Sequence, residues 1–463
     1  MNNLTQVIAA VSTPPGKGGV AIIRMSGMGA FEIADRVFFP LSGKKLSECK
    51  PRTQVYGHIV EDGERIDDVL ATRFPAPASY TGEDTVEIGC HGGILVTRTV
   101  LEALLRAGAV PATAGEFTRR AFINGRLTLT EAEAISDLLE ARSREQIRLS
   151  GDDARGRLSQ RIAKIRASLV GLMSSIYARI DYPDEDLGDF TDGELLEGLY
   201  IIKEDLKDLL STYRTGRAIS EGIGTVICGK PNAGKSTLYN LLSGEDAAIV
   251  TDIPGTTRDV LCRTLPLGRV MLNLSDTAGI RENENMDAVE RIGVEKSRQM
   301  IEKSELLFAI FDISRPFDEE DKLICKTIFS ASGVKIAILN KCDLDCKLNE
   351  DLLPEFDAVI RISAKESEGD AIRLLTEVVN RMFTDERIVA GQDAIISSAR
   401  QHAALTRCLD YLSCATESLE LGFAQDAVSG DVERALGAIS ELDGRAVSEE
   451  IVSDIFSKFC VGK

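Results

Sequence analysis

The chain has 463 residues, with 54 Lys and Arg against 73 Asp and Glu, so its formal net charge is −19. An apolar content of 44% and a charged content of 27% are typical of a folded globular protein and argue against wholesale disorder. At roughly 150 residues per domain, the length predicts about three domains. The acidity opposes unassisted binding to nucleic acid, so work on RNA would need local basic patches or a basic partner protein.

The sequence also indicates a cytoplasmic protein. No apolar run approaches the ~18 residues of a membrane span, and the N-terminus lacks a secretory signal pattern. Ten cysteines occur without a Cys-x-x-Cys pair and beside only three histidines. That usage argues against a disulfide framework or a zinc site.

Residues 1–120 have the pattern of a mixed α/β domain, and they hold 13 basic and 13 acidic side chains, so the excess negative charge lies after them. Short apolar runs bounded by Gly and Pro predict strands at 20–23, 68–73 and 85–88. The residues at 94–105 predict a helix.

Residues 121–216 are predicted to be helical. Thr128 with Glu131 and Thr130 with Glu133 are candidate capping boxes, and Thr191 with Glu194 is a third, opening a helix that ends near Gly216. Between them, apolar residues recur at alternating steps of four and three, the spacing of the buried face of a bundle helix. They are Leu158, Ile162, Ile165, Leu169, Leu172 and Ile176.

Strands and helices alternate over residues 217–384, with apolar strands predicted at 223–228, 270–274, 306–313, 334–339 and 359–362. Such alternation predicts a mostly parallel sheet with helices on both faces. Residues 385–463 are again helical. Two helical blocks around an α/β block predict one helical domain, 121–216 with 385–463, into which residues 217–384 are inserted.

Residues 229–236 read Gly-Lys-Pro-Asn-Ala-Gly-Lys-Ser, directly after a predicted strand and before a predicted helix. This is the context of a P-loop, whose backbone N–H groups cradle phosphates while a lysine supplies charge and a hydroxyl binds Mg²⁺. The nucleotide contacts predicted here are Asn232, Ala233, Gly234, Lys235, Ser236 and Thr237, with Ser236 as the magnesium ligand.

Three further strings follow predicted strands, where open α/β sheets bind their ligands. The first is Asp276, Thr277, Ala278 and Gly279, placed for Mg²⁺ and the γ-phosphate; the second is Asn340, Lys341 and Asp343; the third is Ser363, Ala364 and Lys365. Asp343 can accept hydrogen bonds from the two donors that guanine, unlike adenine, presents. The four strings in this order predict a GTP-binding domain.

The hydrolytic machinery is expected to be unusual. Small signalling GTPases carry a glutamine after the Asp-x-x-Gly string to orient the attacking water, but Ile280 occupies that position here. Another residue or an ion must do this work. Thr256 and Thr257, in the loop between the P-loop and Asp276, are candidate magnesium or ion ligands.

Together these strings resemble the family of tRNA modification GTPases called MnmE (TrmE). The P-loop, TDIPGTTRD at 251–259 and VERIG at 289–293 resemble it, and so do TPPGKGGV at 13–20, YTGED at 80–84, AFING at 121–125 and the terminal FCVGK at 459–463. The resemblance spans essentially the whole chain. It implies an N-terminal α/β folate-binding and dimerisation domain, a two-segment helical domain and an inserted Ras-like P-loop GTPase domain.

The resemblance also implies roles for individual residues. Potassium would be held by Asn232, Thr251, Ile253 and Thr256, and magnesium by Ser236 and Thr257; the nucleotide loop would comprise Thr251, Asp252, Ile253, Pro254, Gly255, Thr256 and Thr257. Glu290 would position the attacking water, with an ordinary exposed glutamate as the alternative. Arg24, Glu87, Arg126 and Lys463 would contact a tetrahydrofolate, although the family more usually has lysine at the position of Arg126.

The activity implied is a potassium-stimulated GTPase acting on certain tRNAs. With an FAD-dependent partner, MnmG (GidA), in a heterotetramer, a homodimer of this family would install an aminomethyl-type or carboxymethylaminomethyl group at C5 of the wobble uridine. A 5-formyl or methylene tetrahydrofolate would supply the carbon. Cys460 is a candidate catalytic thiol, with a buried thiol at a helix end as an equally weighted alternative.

Two other functions remain open on the sequence. One is a ribosome-assembly GTPase of the Era-like class, acting as a switch, although neither a KH domain nor a second GTPase domain is evident. The other is a nucleotide-gated scaffold without folate chemistry. The function of His91, in a Gly-flanked turn, is also left open, whereas His58 and His402 are expected to be structural.

Overall fold

The computed structural model describes residues 5–181, 191–244, 262–275, 299–366, 368–423 and 425–462. The chain forms two compact units, one of residues 1–139, 153–202 and 407–463 and one of residues 140–152 and 203–406. Within the described ranges, no helix has both the length and the apolar character needed to cross a membrane.

The first unit contains a seven-stranded sheet. Its strands are β1 (Ile8–Val11), β2 (Val20–Ser26), β3 (Phe38–Pro40), β4 (Val55–Glu61), β5 (Glu64–Phe74), β6 (Thr85–His91) and β7 (Val110–Pro111). They lie in the order β3-β4-β5-β6-β2-β1-β7, and all neighbours are antiparallel except β1 with β7. The predicted strands of this region are confirmed, each as part of a longer strand.

Two helices, α1 (Ala30–Val37) and α2 (Ile94–Arg106), pack against this sheet. Alternate strand residues such as Ile23 and Met25 are buried with helix residues such as Leu104. Because strand side chains alternate between faces, the intervening residues, among them Arg24, lie on the other face. The predicted helix at 94–105 is thereby confirmed.

A buried arginine connects the next helix, α3 (Glu116–Ile123), to the loop before β6. The Arg120 side chain is 1% exposed, and its Nη1 and Nη2 lie 3.1 Å from Glu83 Oε2 and 3.0 Å from Glu116 Oε1. Arg120 also donates to the carbonyl of Gln6 at 3.0 Å, and Ser26 Oγ donates to Glu83 at 2.8 Å. One buried cation therefore joins α3, the 80–84 loop and the N-terminal segment.

Five helices follow in the chain: α4 (Leu129–Glu140), α5 (Arg144–Ala154), α6 (Arg157–Asp181), α7 (Asp192–Ser211) and α8 (Tyr213–Ser220). All six predicted apolar positions of α6 are buried. Thr128 and Glu131 form a reciprocal capping box, with N–H to side-chain distances of 2.8 and 3.2 Å, and Thr191 with Glu194 forms another. Thr130 instead lies inside α4, and its hydroxyl donates to the carbonyl of Leu442.

The single helix predicted to end near Gly216 is wrong in one respect. Helix α7 ends at Ser211, and α8 is a separate helix that contains Gly216. The hydroxyl of Thr212 donates to the carbonyl of Leu209 at 2.7 Å and accepts from the backbone N–H of Ile396 at 3.1 Å. A threonine hydroxyl that bonds to backbone competes with helix continuation.

The second unit contains a six-stranded sheet. Its strands are β8 (Ile223–Gly229), β9 (Cys262–Leu267), β10 (Val270–Ser275), β11 (Leu306–Asp312), β12 (Val334–Asn340) and β13 (Ala358–Arg361). Their order is β13-β12-β11-β8-β10-β9, with only β9 antiparallel to its neighbour. The mostly parallel sheet is confirmed. The sequence did not predict β9, which contains Arg263 and Pro266.

Three helices pack against this sheet: α9 (Lys235–Ser243), α10 (Glu319–Phe329) and α11 (Glu368–Phe383). Two apolar cores form: Ile227 is buried with residues of α9 and α11, whereas Val226 is buried with residues of α10. Because Val226 and Ile227 are neighbours on β8, the two cores lie on opposite faces, as predicted. The chain ends in α12 (Ala399–Glu420), α13 (Gln425–Asp443) and α14 (Glu449–Ser457).

Replacing the buried cation tests its role in the first unit. Arg120→Ala leaves Glu83 and Glu116 without their partner, and breaking a buried ion pair in this way costs about 3–5 kcal/mol. We expect a clear fall in the free energy of unfolding, measured by urea denaturation. Arg106→Ala is the matched control, because Arg106 pairs with Glu61 while remaining 61% exposed. Equal stabilities of the two variants would contradict the buried-pair interpretation.

Candidate functional site

The P-loop lies between β8, which ends at Gly229, and α9, which begins at Lys235. Gly234 has φ +107°, and a Cβ atom there would lie 2.1 Å from Nδ2 of Asn340. Only glycine fits this position, both for its backbone conformation and for the close side chain. Lys235 Nζ donates to the carbonyls of Gly229 and Lys230 at 2.8 and 2.7 Å. The predicted strand, loop and helix are confirmed.

Asn340 connects two of the predicted strings. It ends β12 with its side chain buried, and its Nδ2 donates to the carbonyl of Ala233 at 2.9 Å. Its Oδ1 accepts from the backbone N–H of Ala364 at 3.1 Å. One amide thus fixes the P-loop against the loop at 363–365.

Lys341 and Asp343 are also held by neighbours. Lys341 Nζ lies 2.5 Å from Asp312 Oδ2, at the end of β11. Burial alone would raise the pKa of the Asp312 carboxyl, but hydrogen bonds from Lys341 and Ser314 outweigh this effect and hold the pKa below its usual range. Asp343 Oδ1 accepts from Ser363 Oγ at 2.6 Å. The structure therefore brings the second and third strings together at one sheet edge.

Part of the predicted site lies outside the described residues: Thr251, Asp252, Ile253, Pro254, Gly255, Thr256, Thr257, Asp276, Thr277, Ala278, Gly279, Ile280, Glu290 and Lys463. Among the described residues, no group of three or more His, Cys, Asp and Glu is arranged to hold a metal. Asn232 and Ser236 are exposed at the loop and offer amide and hydroxyl oxygens, which are ligands that hard cations accept.

Two charged groups at the P-loop, Asp312 and Lys230, were not among the predicted site residues. Asp312 ends an apolar strand, as Asn340 does, so the strand-end rule that points to Asn340 also points to Asp312. Lys230 lies 2.6 Å from both Asp318 Oδ1 and Asp321 Oδ2, at the start of α10. Lys230 is far from both aspartates in the sequence, so no local sequence pattern indicates that they meet.

The first unit carries the predicted folate residues. Arg24 and Glu87 are direct partners on β2 and β6, and Arg24 Nη2 lies 2.8 Å from Glu87 Oε1. The Arg24 guanidinium also lies 5.4 Å from the ring centroid of Tyr80 and 5.8 Å from that of Phe117. A Cβ atom on Gly82 would lie 3.2 Å from Cγ of Arg126. Arg24 therefore stacks on the 80–84 loop through Tyr80, and the Arg126 side chain lies beside Gly82 of the same loop.

The C-terminal tail is fixed on the same unit. Val461 forms a β-bridge with Ala114, and Ser12 Oγ donates to the carbonyl of Gly462 at 3.0 Å. Gly462 has φ +100°, and a Cβ atom there would lie 2.3 Å from the carbonyl oxygen of Val11. Ser12 in turn donates its N–H to Ile22 of β2, the strand that carries Arg24. The tail is thus seated beside the strands of the predicted folate site.

Cys460 is exposed in this tail, past the end of α14, so the alternative of a buried thiol at a helix end is wrong. Burial raises the pKa of the Cys228 and Cys408 thiols to about 12 and that of Cys325 to about 11. Those three side chains stay protonated at neutral pH, as expected for core thiols.

A groove of about 680 Å³ is lined by residues of β2, β4, β5 and β6, including Glu87 and His91. His91 Nδ1 lies 2.6 Å from Asp67 Oδ1, and the His91 ring is largely exposed. His58 stacks on Phe39 and His402 on Tyr213. These two ring contacts agree with the structural roles predicted for His58 and His402.

Comparison with known proteins adds the decisive observation. The family model "GTP-binding protein TrmE N-terminus" matches residues 7–126, and "MnmE helical domain" matches residues 129–460. The tRNA modification GTPase MnmE of Thermotoga sp. (strain RQ2) is 41% identical over 98% of this chain and 99% of its own length. That of Carboxydothermus hydrogenoformans is 40% identical over 99% of this chain and 100% of its own.

The chain belongs to the MnmE family of tRNA modification GTPases. The predicted resemblance is confirmed, and so is the fold class: an α/β N-terminal domain precedes a helical domain whose family match encloses the parallel sheet of the second unit. It is an enzyme family, named for GTP hydrolysis in tRNA modification. A solved structure of Era from Aquifex aeolicus aligns with 40% of this chain and 65% of its own, at 22% identity and a TM-score of 0.26.

The contact between Asp343 and Ser363 yields a prediction about base preference. Asp343→Asn replaces one acceptor oxygen by a donor, and unpaired buried polar groups cost about 1–3 kcal/mol each. We expect weaker GTP binding and improved competition by xanthosine nucleotides, measured by displacement of a fluorescent GTP analogue. Asp345→Asn, two residues along the same exposed segment, is the control. Unchanged GTP affinity in Asp343→Asn would contradict this base pocket.

Proposed function

We propose that this protein is a potassium-stimulated GTPase that acts in the modification of the wobble uridine of certain tRNAs. The observation that carries the proposal is the buried amide of Asn340, which holds the P-loop against the loop at 363–365. This arrangement occurs in a chain that matches MnmE relatives over nearly its full length.

Guanine recognition is assigned to Asp343. Its carboxylate would accept from the ring N–H and the amino group of guanine, while Ser363, 2.6 Å away, holds it in one orientation. The backbone of Ala364 and Lys365 would face the guanine oxygen. Asn340 and Lys341 act indirectly, because their partners are protein groups, Ala233 and Asp312.

Phosphate binding is assigned to the loop before α9. Its backbone N–H groups and the N-terminus of α9 favour anions, and the Lys235 ammonium adds a point charge. Ser236 with Thr257 would hold Mg²⁺, and Asn232 with Thr251, Ile253 and Thr256 would hold K⁺. A cation at that position supplies positive charge against the negative charge that develops between the β- and γ-phosphates.

Water positioning is assigned to Glu290, because Ile280 has no polar group to orient a nucleophile. A glutamate in this role can accept a proton from the attacking water, and it can hold that water in line with the γ-phosphate. We therefore assign control of the GTP hydrolysis rate to Glu290 and the loop at 251–257. Control of the nucleotide affinity is assigned to the residues around Asn340.

Folate binding is assigned to Arg24, Glu87, Arg126 and Lys463. Arg24 and Glu87 fit such a ligand: the paired carboxylate can accept from a pterin edge, and the stacked guanidinium remains partly exposed to pair with a carboxylate. The bound folate would supply the one-carbon unit. Cys460 lies on the tail fixed beside these strands, and we assign it as the candidate nucleophile.

We propose a homodimer that works in the cytoplasm with the FAD-dependent partner MnmG on tRNA. The net charge of −19 supports a division of labour in which that partner contributes much of the RNA contact. The rival function, a ribosome-assembly switch, is disfavoured by the match to an MnmE relative over 98% of this chain.

Potassium dependence follows directly from the ion assignment. GTP hydrolysis by the full chain should be faster in KCl than in NaCl at equal ionic strength, because Na⁺ is too small for a site built around K⁺. Asn232→Ala should lose this stimulation while keeping most of its nucleotide affinity. Steady-state phosphate release checks both. Equal wild-type rates in the two salts would remove the ion from the mechanism.

The tail provides a second, independent prediction. Cys460→Ser should abolish tRNA modification in the reconstituted system and leave GTP hydrolysis and folate affinity unchanged, because it alters only an exposed thiol. Cys414→Ser, at another exposed cysteine, is the control. Deleting residues 460–463 should also weaken folate binding, since the Gly462 contacts and Lys463 are lost. Modification at the wild-type rate by Cys460→Ser would exclude thiol chemistry.

A further inference from the structure

The P-loop contains a tight turn at residues 230–233. The backbone N–H of Ala233 donates to the carbonyl of Lys230 at 3.3 Å. Pro231 and Asn232 occupy the two central positions, and Asn232 has φ +65°. Proline followed by a residue with positive φ is the signature of a type II turn, in which asparagine is one of the few tolerated non-glycine residues.

Both ends of this turn are fixed by side chains from elsewhere in the second unit. At the far end, Ala233 is buried and its carbonyl accepts from Asn340. At the near end, the Lys230 ammonium lies 2.6 Å from Asp318 Oδ1 and 2.6 Å from Asp321 Oδ2, with the Lys230 side chain only 14% exposed. The central residue, Asn232, is exposed between these anchors.

The carboxylates of Asp318 and Asp321 are also held in place by hydrogen bonds other than those to Lys230. Asp318 is the N-cap of α10 and accepts from the backbone N–H groups of Glu320 and Asp321 at 2.9 and 3.3 Å. Asp321 returns the contact by accepting from the N–H of Asp318 at 3.1 Å. This reciprocal capping box leaves the carboxylates little freedom, so the position of Lys230 is set by the start of α10.

We infer that the Lys230–Asp318–Asp321 cluster positions Asn232 for the nucleotide-associated cation and thereby sets the cation affinity of the GTPase. This inference rests on the proposed function, in which Asn232 is a potassium ligand. Lys230 is assigned no contact with the ion or the nucleotide, so its role is that of a positioning residue. The carbonyl of Lys230 also accepts from Lys235 Nζ at 2.7 Å, so the same anchor reaches the phosphate-binding lysine.

The test uses the full chain and the K⁺ concentration that gives half-maximal GTP hydrolysis, at constant ionic strength. Removing a group that orients a cation ligand typically weakens cation binding roughly 10- to 100-fold. Lys230→Met should raise the half-saturating K⁺ by about tenfold, with a much smaller change in the affinity for a fluorescent GTP analogue. Lys230→Arg, which keeps the charge, should restore most of the K⁺ affinity.

Two further variants separate the anchor from general effects of charge. Asp318→Asn keeps a good N-cap but removes the carboxylate, so it should shift the half-saturating K⁺ in the same direction as Lys230→Met. Lys322→Met is the matched control on the same helix, because Lys322 pairs with exposed Glu319 at 2.7 Å. It should leave the K⁺ dependence unchanged.

Hydrogen exchange distinguishes failure of the inference from failure of the proposed function. The amides of residues 232–235 should exchange faster in Lys230→Met than in wild type or in Lys322→Met, whether or not K⁺ binds at Asn232. Unchanged exchange, unchanged half-saturating K⁺, or equal losses of K⁺ and GTP affinity would each overturn the positioning role. Equal wild-type rates in KCl and NaCl would overturn the proposed function, and the link between Lys230 and the cation with it.

Discussion

The nucleotide site depends on one buried side-chain amide. Asn340 is 4% exposed, and its two polar atoms bond to backbone groups of two different loops. A buried amide with an unmade hydrogen bond costs free energy, so each loop satisfies Asn340 only in the arrangement seen here. Gly234 is the counterpart of this constraint, because a side chain there would occupy the space of the Asn340 amide. The base and phosphate site that we propose at this sheet edge is thereby pre-formed.

In the first unit, strand pairing and backbone contacts bring together residues that are distant in the sequence. Its strands pair Arg24 with Glu87 by register alone, while the tail reaches the same region through a β-bridge and a glycine with positive φ. Arg120 holds the 80–84 loop through its ion pair with Glu83. The groups that we assign to folate binding are therefore supported by a buried charge and by backbone contacts. Changes in these supporting groups are expected to alter the proposed site without touching a ligand.

Much of the fold, and the placement of several candidate site residues at one sheet edge, were predictable because they have local or periodic signals. Parallel strands are continuous apolar runs, and their ends identified Asn340, Asp343 and Ser363. The apolar seam of α6 was found by spacing alone. Strand β9 was missed because arginine and proline interrupt its pattern, and the break at Thr212 because it depends on a hydrogen bond to Ile396. Lys230 and Asp321 are 91 positions apart, and only the folded sheet brings them together.

Affinity and rate are assigned to different parts of this GTPase domain, and the geometry gives the physical reason. Asn340, Lys341 and Asp343 are held by protein partners independently of any ligand, so little ordering free energy is lost when the nucleotide binds. Stabilisation of the transition state requires charge placed where it develops between the phosphates. Asn232 is the one described potassium candidate, and its turn is anchored at one end by Asn340 and at the other by Lys230. The groups that we assign to affinity and to rate are thus joined through a single four-residue turn. Its proline and its positive-φ asparagine are the sequence features on which that connection rests.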